Sequence, residues 1–180
     1  MLPDLSVTLA TDAGVFSGDA VDAGTKLLLL EAPPLPPTGT FLDLGCGYGP
    51  MAITMARRSP GATVWAVDVN ERALALTRAN SAAAGIGERI RTALPEEVPT
   101  DLRFDVIWSN PPIRIGKDAL HSLLATWLGR LQPGGHAVLV VQKHLGSDSL
   151  AAWMRHHGFA VERLRSRTGY RLLEVRPCVP

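Results

Sequence analysis

The chain contains the stretch Leu42-Asp43-Leu44-Gly45-Cys46-Gly47-Tyr48-Gly49, in which the end of an apolar strand is followed by a glycine-rich turn. Glycine at alternate positions removes side chains where the backbone must turn sharply and approach a ligand closely. In an open α/β sheet, ligands bind beyond the carboxyl ends of the strands, where the strand order reverses. The stretch therefore predicts a small-molecule site at that edge of a sheet.

The spacing of the glycines distinguishes two classes of nucleotide cofactor. A dinucleotide-binding turn has the spacing G-x-G-x-x-G, and its third glycine would fall at position 50, where this chain has Pro50. The spacing G-x-G-x-G, with Asp43 two residues upstream, fits S-adenosylmethionine (SAM) better than NAD. Asp68 ends the next predicted strand, 23 residues after Gly45, where an acid can accept hydrogen bonds from both ribose hydroxyls. Both cofactor classes use such an acid, so Asp68 indicates a nucleoside ligand without choosing between them.

A second motif, Ser109-Asn110-Pro111-Pro112-Ile113, follows the apolar run at 104–108. The exocyclic amine of a nucleobase is a poor nucleophile because its lone pair is delocalised into the ring. The side-chain oxygen of Asn110 and the carbonyl of Pro111 can each accept one N–H of such an amine, which localises the lone pair. The prolines add rigidity, so the chemistry is positioning and preorganised electrostatics. Asn-Pro-Pro also occurs in ordinary turns.

Together the two motifs predict methyl transfer from SAM, with S-adenosylhomocysteine as the product. Cys46 is not expected to be a nucleophile, because no histidine lies near it in the sequence. The catalytic residues are predicted to be Asn110, Pro111, Pro112 and Ile113. Cofactor binding is predicted for Asp43, Gly45, Cys46, Gly47, Gly49, Asp68, Val69 and Asn110.

Strands and helices alternate from residue 40 onward, which is typical of a parallel sheet with crossover helices. A short strand is also predicted at 6–9, and a hairpin near the end. The predicted strands are 6–9, 40–44, 63–67, 90–93, 105–108, 136–142, 160–164 and 170–175. The predicted helices are 21–31, 51–58, 71–84, 120–131 and 147–156, the third capped by Asn70 and the last by Ser147.

Length and composition favour one globular α/β domain over residues 1–180, with 46% hydrophobic and 19% charged residues. A proline-rich linker separates an amino-terminal lead-in and helix (1–37) from the Rossmann-like core (38–180). No apolar run approaches the roughly 20 residues of a membrane span, and no secretory signal is visible, so a cytoplasmic location is expected. Two cysteines make neither a disulfide framework nor a metal site. The oligomeric state is not predicted.

Charge is unevenly distributed although the net charge is only +1. Residues 1–50 carry six acidic residues and one basic residue, Lys26, so the remainder is positive. The arginines toward the carboxyl end either contact nucleic-acid phosphates or are solvated surface residues, and charge alone does not decide between these. They are Arg155, Arg163, Arg165, Arg167, Arg171 and Arg176.

The chain resembles the RsmC-like small-subunit ribosomal RNA guanine-N2 methyltransferases, in particular the short members of the "methyltransferase small" group. The matching segments are 14–17 (GVFS), 22–29 (DAGTKLLL), 42–49, 109–117 (SNPPIRIGK) and 141–144 (VQKH). The resemblance covers residues 11–176. It implies a seven-stranded sheet of order 3-2-1-4-5-7-6 with strand 7 antiparallel, SAM at residues 45–49, and the target amine at residues 110–113. Its implied partner is ribosomal RNA or the small ribosomal subunit.

The chain departs from that pattern in the residue after Asn-Pro-Pro, which is Ile113 where many amino-methyltransferases have an aromatic ring. Phe16 is a candidate replacement for stacking, or a core residue. Arg114 and Lys117 are candidates to hold a phosphate or the guanine edge, and Lys143 to line the same crevice; each also fits a solvated charge. The acid that contacts adenine after the third strand is not assigned, because Pro95 precedes Glu96.

Other functions remain open at this point. The same motif serves methylation of adenine N6 or of a protein glutamine. A protein that binds SAM or RNA without turnover is a second alternative. An NAD-dependent oxidoreductase is a third, disfavoured by Pro50.

Overall fold

A computed structural model describes residues 2–11, 21–112 and 115–178. The strands are β1 (Thr38–Leu44), β2 (Gly61–Val67), β3 (Ile90–Ala93), β4 (Phe104–Ser109), β5 (Leu131–Gln142), β6 (Phe159–Arg167) and β7 (Tyr170–Pro177). The helices are α1 (Ala23–Glu31), α2 (Pro50–Arg58), α3 (Glu71–Ala83), α4 (Lys117–Leu128) and α5 (Ser147–His156). The described strands form one sheet of order β3-β2-β1-β4-β5-β7-β6, in which β7 is antiparallel to both neighbours. The predicted Rossmann-like topology is confirmed.

The centre of the sheet places three loops side by side. In parallel register, Leu44 at the end of β1 lies opposite Val67 of β2 on one side and Ser109 of β4 on the other. The carboxyl ends of β1, β2 and β4 are therefore aligned. The turns that follow them meet at the carboxyl edge, which is where such sheets bind ligands.

Alternating side chains divide the core between the two faces of the sheet. Phe41 of β1 packs in a cluster with Leu28 of α1 and Met55 of α2. Leu42, the next residue, packs in a second cluster that contains Leu124 of α4. Both faces of β1 are therefore covered, and its last four residues are buried. Within the described ranges, no helix has the length and apolar character that a membrane span requires.

Three local predictions are wrong. The strand at 6–9 does not form, since this segment lies outside the sheet and Ala10 instead pairs its backbone with the Asn80 side chain of α3 at 2.7 and 2.9 Å. Ser147 does not cap α5: Gly146, in a left-handed conformation at φ 95°, occupies that position. β5 begins at Leu131, so this leucine belongs to the strand and not to α4.

The other boundaries agree with the prediction to within a few residues. Asn70 caps α3 as expected, accepting the Arg72 backbone N–H at 3.0 Å. The residues 133–135, which lie between the predicted helix 120–131 and the predicted strand 136–142, belong to β5. They coincide with an irregularity in its pairing with β4, between Phe104 and Val106.

Candidate active site

A cavity of about 550 Å³ opens at the carboxyl edge of the sheet, between the turns after β1, β2 and β4. This size is within the range of small-molecule sites. Predicted site residues that line it are Gly45, Cys46, Gly47, Asp68, Val69, Asn110, Pro111 and Pro112. Further lining residues are Asp22, Thr25, Leu44, Tyr48, Pro50, Met51, Val67, Asn70, Ala73, Pro95, Leu123, Gln142 and Tyr170.

The glycine turn after β1 has a backbone that other residues rarely adopt. Gly45, Gly47 and Gly49 have φ angles of 78°, 56° and 94°. The N–H of Gly45 bonds the Val67 carbonyl of β2 at 2.8 Å, which holds the turn against the neighbouring strand. At Gly49 a Cβ would lie 3.0 Å from Thr77, so α3 packs directly against the turn. At Gly45 a Cβ would meet no atom of the described residues within 4 Å, and Gly45 lines the cavity.

Asp68 joins the turn after β1 to the turn after β2. Its Oδ2 accepts the Gly47 backbone N–H at 2.9 Å, and its Oδ1 accepts the Asn70 backbone N–H at 3.0 Å. The side chain is half-buried at the cavity wall, and its neighbour Val69 is 81% exposed at the rim. A carboxylate fixed in this way presents acceptors for polar ligand groups such as hydroxyls.

Asp43 lies beneath the turn and not at the cavity surface. It is fully buried, and its Oδ2 accepts the backbone N–H of Ala52 at the start of α2 at 2.8 Å. Its Oδ1 has no hydrogen-bond partner among the residues that the structure describes. Burial raises the pKa of this carboxyl to about 8, with a further contribution from the nearby charge of Asp68. Asp43 therefore stabilises the turn from the protein interior, by linking the end of β1 to the start of α2.

Cys46 lies within the turn and is buried. Burial, with the negative charge of Asp43 as a smaller cause, raises the pKa of its thiol well above the ordinary value. A protonated thiol is a weak nucleophile. The thiol of Cys46 is therefore held in a weakly nucleophilic form.

Asn110 follows β4, and hydrogen bonds from its amide nitrogen hold the side chain in place. Its Nδ2 donates to Asp22 Oδ2 at 2.8 Å and to Thr25 Oγ1 at 3.1 Å. An amide nitrogen carries two hydrogens, and in Asn110 each of them has an acceptor at the start of α1. The amide oxygen is therefore on the other side of the amide carbon from these partners, and Asn110 is one of the residues that line the cavity.

The remaining predicted residues are placed as follows. Pro111 is buried and Pro112 exposed, and both line the cavity. Lys117 and Lys143 are exposed and do not line it; Lys117 lines a smaller cavity of about 160 Å³. Phe16, Ile113 and Arg114 lie outside the described residues.

Four of the further lining residues form a connected group beside Asn110 that no sequence motif indicated: Asp22, Thr25, Gln142 and Tyr170. Asp22 is the N-cap of α1, accepting the backbone N–H groups of Gly24 and Thr25 at 2.9 and 3.1 Å. An aspartate before an apolar helix signals such a cap. Its contact with Asn110, 88 positions away, has no local sequence signal.

The residues present fit a cofactor that contains a nucleoside. Asp68 offers acceptors to a ribose, and the open backbone at Gly45 admits a ligand without a side chain in the way. Among the described residues, no group of three or more His, Cys, Asp or Glu is placed to hold a metal ion.

Comparison with known proteins identifies the family. Residues 6–174 match the model of the methyltransferase small domain. The uncharacterized protein YbxB of Bacillus subtilis is 32% identical over 173 residues, which cover 94% of this chain and 85% of YbxB. Ribosomal RNA small subunit methyltransferase C of Escherichia coli is 38% identical over 144 residues, 77% of this chain and 41% of the relative.

A solved structure shows the same arrangement of the chain. It is the T. thermophilus 16S rRNA N2 G1207 methyltransferase (RsmC) in complex with AdoMet and guanosine, with a TM-score of 0.73 and 28% identity. The match covers 91% of this chain and 45% of that one. The chain thus spans less than half the length of these RsmC relatives. It belongs to the methyltransferase small domain family and is a SAM-dependent methyltransferase of the RsmC type.

Proposed function

We propose that this methyltransferase transfers the methyl group of SAM to the exocyclic N2 of a guanine in small-subunit ribosomal RNA. The observation that carries the proposal is the Asn110 amide, whose nitrogen is bound by Asp22 and Thr25 so that its oxygen is available as an acceptor. The RsmC relatives support the choice of guanine N2 in 16S rRNA, since the T. thermophilus protein is described by that activity.

The protein's part in this reaction is to hold the amine. The two N–H groups of the amine donate to Asn110 Oδ1 and to the Pro111 carbonyl, which draws the nitrogen toward a tetrahedral form with its lone pair directed outward. Both acceptors follow β4 directly and are fixed before substrate arrives, because proline restricts the backbone. SAM supplies an electrophilic methyl group on a positively charged sulfur. No strong general base is needed, since the amine loses its proton readily once it is methylated.

The cofactor site in this proposal consists of the glycine turn with the acids around it. Asp68 accepts the ribose hydroxyls, and the backbone at residues 45–49 follows the rest of the cofactor. Asp43 holds the turn through Ala52. Pro95 lines the cavity after β3, whereas Glu96 is exposed, so the adenine end lies near Pro95.

The substrate base must leave its helix to reach this cavity. Enzymes that act on a nucleobase bind it single-stranded or flipped out of the duplex. Pro112 and Leu123 give the cavity an apolar wall for such a base, and Ile113 follows Pro112 in the sequence. Tyr170 is an aromatic side chain at the same cavity.

The test measures tritium transfer from labelled SAM to three acceptors: small ribosomal subunits from cells that lack this activity, their naked RNA, and total cell protein. Wild-type protein is expected to label RNA, and the label should digest to N2-methylguanosine. Asn110→Ala should bind SAM normally and lose at least about 100-fold in rate, the loss typical of removing one fixed polar group from a reacting centre. Gln132→Ala is the matched control, because it removes an amide side chain near the start of β5, outside the cavity lining, and it should retain full activity.

Each alternative outcome has a distinct meaning. Label in RNA as N6-methyladenosine, or in protein, would contradict guanine N2 and move the target to another amine or amide. A near-normal rate in Asn110→Ala would contradict the proposed role of the amide.

A further inference from the structure

We propose that Asp22 is a positioning residue that sets the orientation of the Asn110 amide, and that Tyr170 holds Asp22 in place. The inference deepens the proposed function and rests on Asn110 as the acceptor of the target amine. Asp22 is the last residue before α1 and lies 88 positions before Asn110 in the sequence.

The chemistry of a carboxylate makes the orientation unambiguous. An ionised carboxylate has acceptors and no donor, so the atom of Asn110 that faces Asp22 at 2.8 Å must be the nitrogen. The reversed amide would place its carbonyl oxygen against the carboxylate, with two acceptors in contact. Asp22 therefore leaves the amide oxygen as the only atom of Asn110 that can receive an N–H from substrate.

The second carboxylate oxygen is held from another part of the fold. Tyr170, the first residue of β7, lies with its hydroxyl 3.4 Å from Asp22 Oδ1. Gln142, the last residue of β5, donates to that hydroxyl at 3.1 Å, so the tyrosine's own hydrogen is directed to Asp22. A Cβ at Gly24 would lie 2.7 Å from the Tyr170 ring, so the start of α1 is seated directly on this tyrosine.

These contacts exceed what a helix cap requires. An N-cap needs one side-chain acceptor, and serine serves there as well as aspartate. Asp22 Oδ2 accepts three N–H groups, two from the first turn of α1 and one from Asn110. Capping and positioning can therefore be separated by substitution.

The decisive variant is Asp22→Ser, which keeps a capping hydroxyl on α1 but is too short to reach Asn110 as well. Asp22→Asn is the rescue variant, because its oxygen can serve the helix and Asn110 while its nitrogen donates to Tyr170. Asp4→Ser is the matched control: Asp4 pairs with Arg58 at 2.8 Å, and Arg58 bonds the Leu29 carbonyl at the other end of α1. It makes the same change beside the same helix, away from the cavity.

Two measurements test the proposal. The first is the ¹H–¹⁵N spectrum of side-chain amides, in which the Asn110 pair is identified by its disappearance in Asn110→Ala. Asp22→Ser should shift this pair, whereas Asp4→Ser should not. The second is the single-turnover methylation rate with saturating SAM. Asp22→Ser should reduce it by about 100-fold, the cost of a displacement near 1 Å at a reacting centre, with SAM affinity and melting temperature nearly unchanged. Asp22→Asn should recover most of the rate.

An unchanged Asn110 amide signal in Asp22→Ser would overturn the proposal, as would a normal methylation rate in that variant when Asn110→Ala is inactive. Equal rate losses in Asp22→Ser and Asp22→Asn would also overturn it. If wild-type protein methylates no RNA, the proposed function fails, and the amide spectrum still decides whether Asp22 orients Asn110.

Discussion

Asp43 carries a carboxyl group that the fold removes entirely from water and supplies with a single hydrogen bond, from the Ala52 N–H. Loss of hydration disfavours the charged form, which raises the pKa to about 8. The unfolded chain has an ordinary carboxyl at this position. The folded protein therefore binds a proton that the unfolded chain releases, between the ordinary pKa near 3.8 and about 8.

This difference makes the stability of the cofactor-free protein depend on pH through Asp43. A raised folded-state pKa contributes stability that is fully present below the unfolded pKa and is lost as pH rises through the folded pKa. We expect the Asp43 contribution to the free energy of unfolding to fall between about pH 4 and pH 8, with a slope of at most about 1.4 kcal/mol per pH unit. Asp43→Asn, which stays neutral, should lack this contribution.

The measurement is urea unfolding of wild type and Asp43→Asn across this pH range. The difference between them isolates Asp43, because His136, a half-buried residue whose pKa is lowered by partial desolvation, contributes equally to both. We expect the variant to gain relative stability as pH rises. A difference that does not change with pH would show that Asp43 titrates normally.

Gly45 provides a second test at the level of one residue. Its φ of 78° is left-handed, and a side chain there would enter the cavity. Asparagine tolerates this conformation, so Gly45→Asn should add bulk to the cofactor site with little backbone strain. We expect SAM affinity, measured by calorimetry, to fall at least about tenfold, or about 1.4 kcal/mol.

Gly85 is a matched control for this substitution. It too has a left-handed φ, 68°, and open space where its Cβ would be, but it lies after α3 and outside the cavity lining. Gly85→Asn should therefore bind SAM like wild type. Equal affinities for the two variants would argue against a cofactor site at Gly45.

At the level of elements, the β6–β7 hairpin has an unfavourable residue in its turn. Thr168 and Gly169 form the two-residue connection with φ angles of 52° and 80°. Such turns favour Asn-Gly, and a β-branched residue with positive φ is strained. Thr168→Asn should stabilise the protein by about 1 kcal/mol in urea unfolding. Thr168→Val, also β-branched, should not stabilise it; equal stability of both variants would contradict this reason.

An element could be predicted where the residues adjacent in the sequence determine it. It could not be predicted where contacts with distant residues determine it. The strand that ends at Leu44 and the α3 cap at Asn70 follow from adjacent residues, and both were predicted. The segment at 6–9 has strand-like residues, but Asn80 of α3 binds the adjoining backbone instead. Ser147 is a favourable residue type for a cap, yet the left-handed Gly146 takes the position.

The same distinction applies to the candidate site. Residues such as Gly45 and Asn110 were predicted because they belong to contiguous motifs. Asp22 and Tyr170 were not selected, because their roles arise from contacts across 88 and 148 positions that only the folded sheet creates. The start of α1 and the start of β7 meet beside Asn110 because the fold brings these distant parts of the chain together.

At the scale of the whole molecule, the two edges of the sheet adjoin different parts of the cavity: Pro95 follows β3, whereas Tyr170 lies beside Asp22, the partner of Asn110. β6 forms one edge, and its exposed Arg167 pairs with Tyr170, which lines the cavity. Lys143 is also exposed, and its backbone N–H donates to the Gly169 carbonyl of the same hairpin turn at 2.7 Å. β3 forms the opposite edge, with the exposed Arg91. An RNA whose target base enters the cavity would pass the β6 edge.

The proposed RNA substrate therefore predicts that the two edges respond differently to reversal of charge. Arg167→Glu should weaken binding of a small-subunit rRNA fragment, measured by fluorescence anisotropy between about 50 and 200 mM salt, and should lower the salt slope by about 1 for each phosphate that the protein no longer neutralises. Arg91→Glu makes the same change of charge at β3 and should bind like wild type. SAM affinity should be equal in both. If both variants bind RNA equally weakly, the effect comes from net charge, and the β6 edge does not guide RNA to the cavity.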